Sequence, residues 1–220
     1  MAIELPLFPL NVVLFPGADL PLHIFEPRYR LMINECYEQA QPFGIVLARP
    51  ESKLLHEQPY PVGTLAEIDA LDRLEDGRMN LIARGRQRFR ILSHHRNKPY
   101  LSGIVEMYGD VNAETEEELD LVTCQARNLF RSYLEALLSL VERSELDFTL
   151  PDDAEELSYF IAYLIDIQDE QKQHMLELTS TCQRLEEEIR ILRREIPFMR
   201  EVLTMSQRYY AHKPDHSNLN

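Results

Sequence analysis

VGTLAEIDALDRLEDGRMNLIARGRQRFRIL, residues 62–92, decides the fold, because its apolar residues recur at every second position and an Asp-Gly reversal divides it. Val62, Thr64, Ala66, Ile68 and Ala70 share one face of an extended chain, with Glu67 and Asp69 on the other. Glu75-Asp76-Gly77 supplies the turn, after which Met79, Leu81 and Ala83 resume the alternation opposite Arg78, Asn80 and Arg84. Beyond Gly85 the pattern sets Phe89 and Ile91 against Arg86, Arg88 and Arg90, and Tyr100 to Met107 reads as a further strand. The expectation is an antiparallel sheet with one apolar face and a row of arginines. Gly85 can host a bulge, which would break the shared parity of that row.

Upstream, residues 3–25 mix β-formers with prolines at spacings that suit edge strands and loops better than central strands. Pro16-Gly17 fits the centre of a type II turn between two short strands. A helix is predicted from Glu26-Pro27, with Tyr29, Met32, Ile33, Cys36 and Tyr37 on one face. Phe43 to Ala48 reads as extended, and Pro50 to Pro61 as a long loop. Downstream, Gly109 to Ala113 is a polar connector and Thr115-Glu116-Glu117-Glu118 a capping box. Leu119, Val122, Ala126, Leu129, Phe130, Tyr133, Leu137, Leu140 and Val141 then keep a helical stripe. A second helix follows Pro151-Asp152-Asp153 with Leu157, Phe160, Ile161, Leu164 and Ile165 on its apolar face. A short third helix spans about Glu170 to Leu178, and Ser180-Thr181-Cys182-Gln183 opens a last, long one. Its heptad stripe, Leu185, Ile189, Leu192, Ile196, Met199 and Leu203, is interrupted by Pro197, which is expected to kink or divide the helix.

A chain of 220 residues can bury a substantial core. Its formal charge of -14 disfavours broad contact with polyanions or anionic lipid. Cys36, Cys124 and Cys182 are odd in number and far apart, which suits neither a disulfide framework nor a metal cluster and points to a reducing cytoplasm. Pro6, Pro9, Pro16 and Pro21 interrupt the apolar start, and no basic residue precedes it, so no signal peptide is expected. No run approaches the ~18 apolar residues of a membrane span.

PLFPLNVVLFPG (Pro6 to Gly17), LHIFEPRYR (Leu22 to Arg30), VGTLAEI (Val62 to Ile68) and ARGRQRFRIL (Ala83 to Leu92) together resemble the N-terminal, substrate-binding domain of Lon-type ATP-dependent proteases, which also occurs free-standing and within cereblon. The resemblance implies an α+β fold: a PUA-like β-barrel over residues 1–110, a helical bundle with a long last helix over 114–210, and a tail at 211–220. It also implies a stand-alone, non-catalytic module that holds or delivers client polypeptides, or docks a protein partner.

The residues agree with an absence of catalysis. Each lysine follows Ser52, Asn97, Gln171 or His212, so no Gly-Lys phosphate loop exists, and no serine sits in a Gly-x-Ser-x-Gly elbow. His56-Glu57 lacks a second histidine at metal spacing, and His94-His95 beside Arg96 reads as a surface loop. Cys36 and Cys124 fall on predicted apolar stripes and read as buried and inert. No cofactor and no metal are expected. Candidate partner contacts are Phe25, Arg28 and Tyr29 from the second motif and Arg84, Arg86, Arg88 and Arg90 from the fourth. The arginines have three readings: pairing with Glu67, Asp69, Glu75 or Asp76, contact with an acidic peptide, or contact with RNA. The heptad stripe has two, packing on the preceding helices or self-association.

Overall fold

The computed structural model describes residues 2–49, 58–111, 114–140 and 149–211; residues 50–57 of the loop expected from Pro50 to Pro61, Val141 of the second-half stripe, and 212–220 of the tail expected at 211–220 lie outside them, while Pro59 to Pro61 are already strand and Ala211 still helix. The strand-turn-strand unit forms as β4 (Pro59–Arg73) and β5 (Met79–His95). Between them the Leu74 amide donates to the Arg78 carbonyl at 2.9 Å. The other strands are β1 (Ala2–Leu10), β2 (Asp19–Ile24), β3 (Phe43–Ala48) and β6 (Leu101–Met107). Their order is β2-β5-β4-β3-β1-β6, and β6 also pairs with β5, so five strands close into a barrel and β2 is left outside the ring. β5 makes this possible by its length: Met79 to Arg84 pair with β2, while Phe89 to His95 pair with β6.

The prolines of β1 do not mark an edge strand, since β1 lies between β3 and β6. It changes neighbour midway, pairing with β6 over Ala2–Leu7 and with β3 over Leu7–Leu10. Each half therefore has one paired side, and Pro6 and Pro9 each meet a single ladder that can spare an amide. Gly17 turns at φ 79°, as the predicted turn requires.

Inside the barrel Phe89 is fully buried among Leu5, Leu7, Val46, Leu101 and Val105. Gly44 makes room for it, because a Cβ there would lie 2.6 Å from Phe89 Cζ. A second cluster forms where α1 (Pro27–Glu38) lays Tyr29, Met32, Ile33 and Cys36 over Met79, Leu81 and Ala83. Tyr37 is not part of it; its ring is half exposed, with the Arg73 guanidinium 5.1 Å from its centre. Ala70 is also exposed, because a bulge between Ile68 and Ala70 reverses the alternation and turns Leu71 inward.

The helices are α2 (Glu116–Leu140), α3 (Ala154–Leu164), α4 (Asp169–Glu177) and α5 (Thr181–Ala211). The capping box is reciprocal: Glu118 N–H donates to Thr115 Oγ1 at 3.3 Å, and Thr115 N–H to Glu118 Oε2 at 3.0 Å. α5 continues through Pro197 without dividing. Its heptad stripe folds back onto α2 and α3, with Leu185, Ile189, Leu192 and Ile196 buried. The cluster they join also holds Val13, Phe15, Leu47 and Val62 from the β-part, so strands and helices share apolar core. Cys36 and Cys182 are buried, but Cys124 is exposed. It stands two residues from both Val122 and Ala126, which places it across the helix from their stripe.

Candidate functional site

The predicted arginine row does not survive as a row. Thr64 pairs with Arg88 and Ala66 with Gly85, so Arg86 and Gln87 together oppose Leu65, and this bulge turns Arg88 to the inside. Arg88 is only 1% exposed. Its guanidinium donates to Leu176 O at 2.9 Å, to Leu178 O and to Asp110 Oδ1. Arg184 meets the same carboxylate at 2.5 Å and donates to Ser158 Oγ at 2.8 Å, while Thr181 Oγ1 donates to Asp110 Oδ2 at 2.7 Å. Burial pushes the Asp110 carboxyl up, but Arg184, Thr181 and Arg88 more than offset it and hold it below the usual range. This cluster joins β5, the connector after β6, α3 and α5. Spacing did not foretell it, since Asp110 and Thr181 read as connector and cap, and Arg184 as a polar helix position.

The remaining arginines stay outside. Arg84 Nε lies 3.6 Å from Asp19, and Arg86 Nε donates to Glu67 at 2.7 Å, so the expected pairing with Glu67 is present. Arg90 lies 5.2 Å from the centre of the Tyr108 ring.

Arg84 and Arg86 border a cleft of about 790 Å³ between the Pro16-Gly17-Ala18 turn and the start of α3, with Tyr159, Phe160 and Tyr163 also on its wall. The Asp153 side chain caps α3 there, accepting from Glu156 N–H at 2.9 Å. β2 leads from Asp19 at this cleft, over roughly 7 Å at ~3.3 Å per residue, to an apolar groove of about 500 Å³ lined by Pro21, His23, Ala70, Leu71 and Ile82. Phe25 stands just past the strand end, 62% exposed, its ring stacked on His23 with 6.2 Å between centres. His23 Nδ1 is fixed in turn at 2.7 Å from Asn80 Oδ1.

Among the described residues β2 is paired with β5 alone. Gly85 N–H donates to Ala18 C=O, so alternation turns the backbone groups of Leu20, Leu22 and Ile24 towards β5 and those of Asp19, Pro21 and His23 away. Tyr163 Oη takes the Asp19 carbonyl at 3.2 Å. The open edge therefore offers the Pro21 carbonyl and the two backbone groups of His23. Of the candidate residues, Phe25, Arg84 and Arg86 lie along this surface. Arg28 follows in the first turn of α1, its Nε 2.9 Å from Glu26 and its guanidinium over the Tyr29 ring. Tyr29 is buried against Phe8, and Arg88 belongs to the interior cluster.

Polar chemistry elsewhere is held in its resting state. Lys98 Nζ and Tyr100 Oη bond Glu35 Oε2 at 2.7 and 2.6 Å; Lys98 first, then Tyr100, holds that carboxyl down, and Glu35 holds the ammonium up. Burial pushes the Cys36 thiol up to about 11, the reverse of an activated nucleophile. His94 and His95 close β5 instead of forming a loop, and His95 Nε2 lies 3.2 Å from Glu4. Among the described residues no group of three His, Cys, Asp or Glu could hold a metal ion, and no helix is long and apolar enough to cross a membrane.

A Lon protease of Anaeromyxobacter dehalogenans is 28% identical over 211 residues, 93% of this chain and 24% of that protein. Lon protease 2 of Myxococcus xanthus matches equally, at 28% over 211 residues. The chain spans about a quarter of the length of these curated relatives. Among solved structures, the Lon N-terminal domain protein from Xanthomonas campestris superposes with a TM-score of 0.62 at 28% identity, covering 84% of this chain and 96% of that one. The N-terminal domain of the Mycobacterium avium complex Lon protease, at 20% identity and TM-score 0.63, shares the fold over 86% of this chain and 98% of its own. The model of the ATP-dependent protease La (LON) substrate-binding domain matches residues 4–194, and with the barrel, the helices and these relatives in agreement, the chain belongs to that family.

Proposed function

We propose that this chain is a non-catalytic polypeptide-binding module that engages an apolar segment of a client along β2, with Phe25 as the anchor. The observation that carries this reading is the 62% exposure of Phe25, whose ring stacks on His23 at the wall of an apolar groove beside the outer edge of β2. A large aromatic ring kept in water has no folding role that its burial would not serve better, whereas at an interface it contributes both area and shape. The family description names a substrate-binding domain, which supports the same reading. Holding or delivery of clients in a reducing cytoplasm is the activity we assign, and Arg84 and Arg86 contribute at the far end of β2. Pro21 removes one amide from the outward edge, so side-chain burial is the main source of affinity and strand pairing a supplement.

Binding of an unfolded, apolar-rich polypeptide tests this. Phe25→Ala is expected to weaken it by about 2 kcal/mol, roughly thirtyfold in Kd, and a rise from low to moderate salt to change it little. Single-stranded RNA is the control. Tight RNA binding that collapses with salt and with Arg84→Glu/Arg86→Glu, while polypeptide binding ignores Phe25, would replace this reading with nucleic-acid recognition.

A further inference from the structure

The cleft at the start of α3 stays negative after its ion pairs are cancelled. Asp19, Asp153, Glu155 and Glu156 line it together with Arg84 and Arg86. Arg84 is matched by Asp19 and Arg86 by Glu67, so the two guanidiniums bring aliphatic stems to the wall and no free charge. The other three carboxylates have neutral partners or none. Asp153 accepts a backbone N–H, Glu155 Oε1 accepts from Tyr159 Oη at 3.2 Å, and the Glu156 side chain meets no partner among the described residues. A neutral donor satisfies an oxygen without cancelling its charge. The N-terminus of α3 offsets about half a charge, leaving roughly two and a half negative charges at the wall. Residues 150–170 as a whole hold seven acidic side chains and no basic one, half of the chain's net charge of -14.

The rest of the lining favours the same kind of guest. Phe160 and Tyr163 stand on the wall beside these carboxylates, and an aromatic face attracts a cation placed over it. At about 790 Å³ the cleft has room for a long side chain. The groove two residues along β2 adds Asp72, also without a side-chain partner among the described residues, and neither lysine nor arginine.

We propose, resting on the client reading above, that the segment taken along β2 is a basic one: an arginine or lysine enters the cleft at the start of α3 while an apolar residue of the same segment fills the groove. An extended client reaches both with residues two apart, because a strand returns to one face at every second residue and covers roughly 7 Å in doing so. The field that draws a basic segment in turns an acidic one away, so charge selects among apolar clients.

The test uses the full chain and three synthetic peptides that repeat Phe-Ser-X-Ser-Leu-Ser-X, with X as arginine, glutamine or glutamate. The arginine peptide is expected to bind at least ~10-fold tighter than the glutamate peptide at low salt, with the glutamine peptide between them and the spread closing as salt rises. Glu155→Gln/Glu156→Gln keeps the side-chain shapes and the Asp153 cap. It should cut the preference for arginine over glutamate at least ~3-fold and leave the glutamine peptide unchanged. The same two charges removed at the start of α2, in Glu116→Gln/Glu117→Gln, should leave the preference in place, which separates the cleft from the field of the whole chain. Phe25→Ala should weaken all three peptides alike. With that dependence on Phe25 intact, equal binding of the three peptides or a preference for glutamate would overturn the basic client alone. So would a preference that Glu155→Gln/Glu156→Gln reduces no more than Glu116→Gln/Glu117→Gln does. Binding of no peptide, or indifference to Phe25→Ala, would overturn the client reading and the basic client with it.

Discussion

Arg88 and Asp110 are each 1% exposed at their side chains, and each is the other's partner in a place water does not reach. Arg88→Ala would leave Asp110 with Arg184 and the Thr181 hydroxyl and is expected to cost about 3–5 kcal/mol in denaturant unfolding, the usual penalty for breaking a buried pair. Arg86→Ala, whose pair with Glu67 is half exposed, should cost less than ~1 kcal/mol in the same measurement. Equal costs would mean that Arg88 is solvated. The sequence alone ranks Arg88 with the surface arginines, because parity counts residues and a bulge adds one without leaving a mark beyond Gly85. Glu188 makes a second test. It is fully buried with both carboxyl oxygens unpartnered, and burial pushes its pKa well up while Arg184 pulls it down. A proton held more tightly by the folded chain makes stability fullest below the ordinary glutamate value of ~4.3, with loss as the pH rises from there towards the folded pKa. Glu188→Gln should therefore raise the thermal midpoint more at about pH 8 than at about pH 4. Asp110 has the opposite sign: its depressed pKa contributes stability that is lost only as the pH falls below its unfolded value of ~3.9.

At the scale of elements, β5 does the most, joining β2, β4 and β6 and sending Phe89 into the barrel. Phe89→Ala should cost about 3–5 kcal/mol as a core truncation. Gly44→Ala pushes a methyl group against the same ring and Leu7, at an expected cost of about 1–3 kcal/mol. Because the two changes act on one space, their double substitution should fall short of the sum, and additivity would show that Gly44 and Phe89 do not meet. The strands of this hairpin, α1 and the helix starts were legible because alternation, Pro27 and the capping boxes are local signals. The burial of Arg184 and Glu188 on α5 was not, since their charges mark a polar face. Nor was the groove beside Phe25, which Pro21, Ala70 and Ile82 assemble from three strands.

For the whole molecule, the apolar cluster that takes Val13, Phe15, Leu47 and Val62 from the β-part and Phe130, Leu157 and Leu185 from the helices makes a single unfolding unit. We expect calorimetric and van't Hoff enthalpies to agree in one transition; two resolved transitions would divide barrel from bundle. The exchange of neighbours along β1 has a consequence in time. Its first half waits for β6, with Ala2 opposite Glu106 and Leu5 opposite Gly103, so the first strand of the barrel to be synthesised pairs with the last. With synthesis at about 5–20 residues per second, the nascent chain carries Leu5 and Leu7 without their seam for roughly 5–20 s. Refolding from denaturant faces the same long closure, which places the barrel among slow, high-contact-order folders that complete in milliseconds to seconds and not in microseconds.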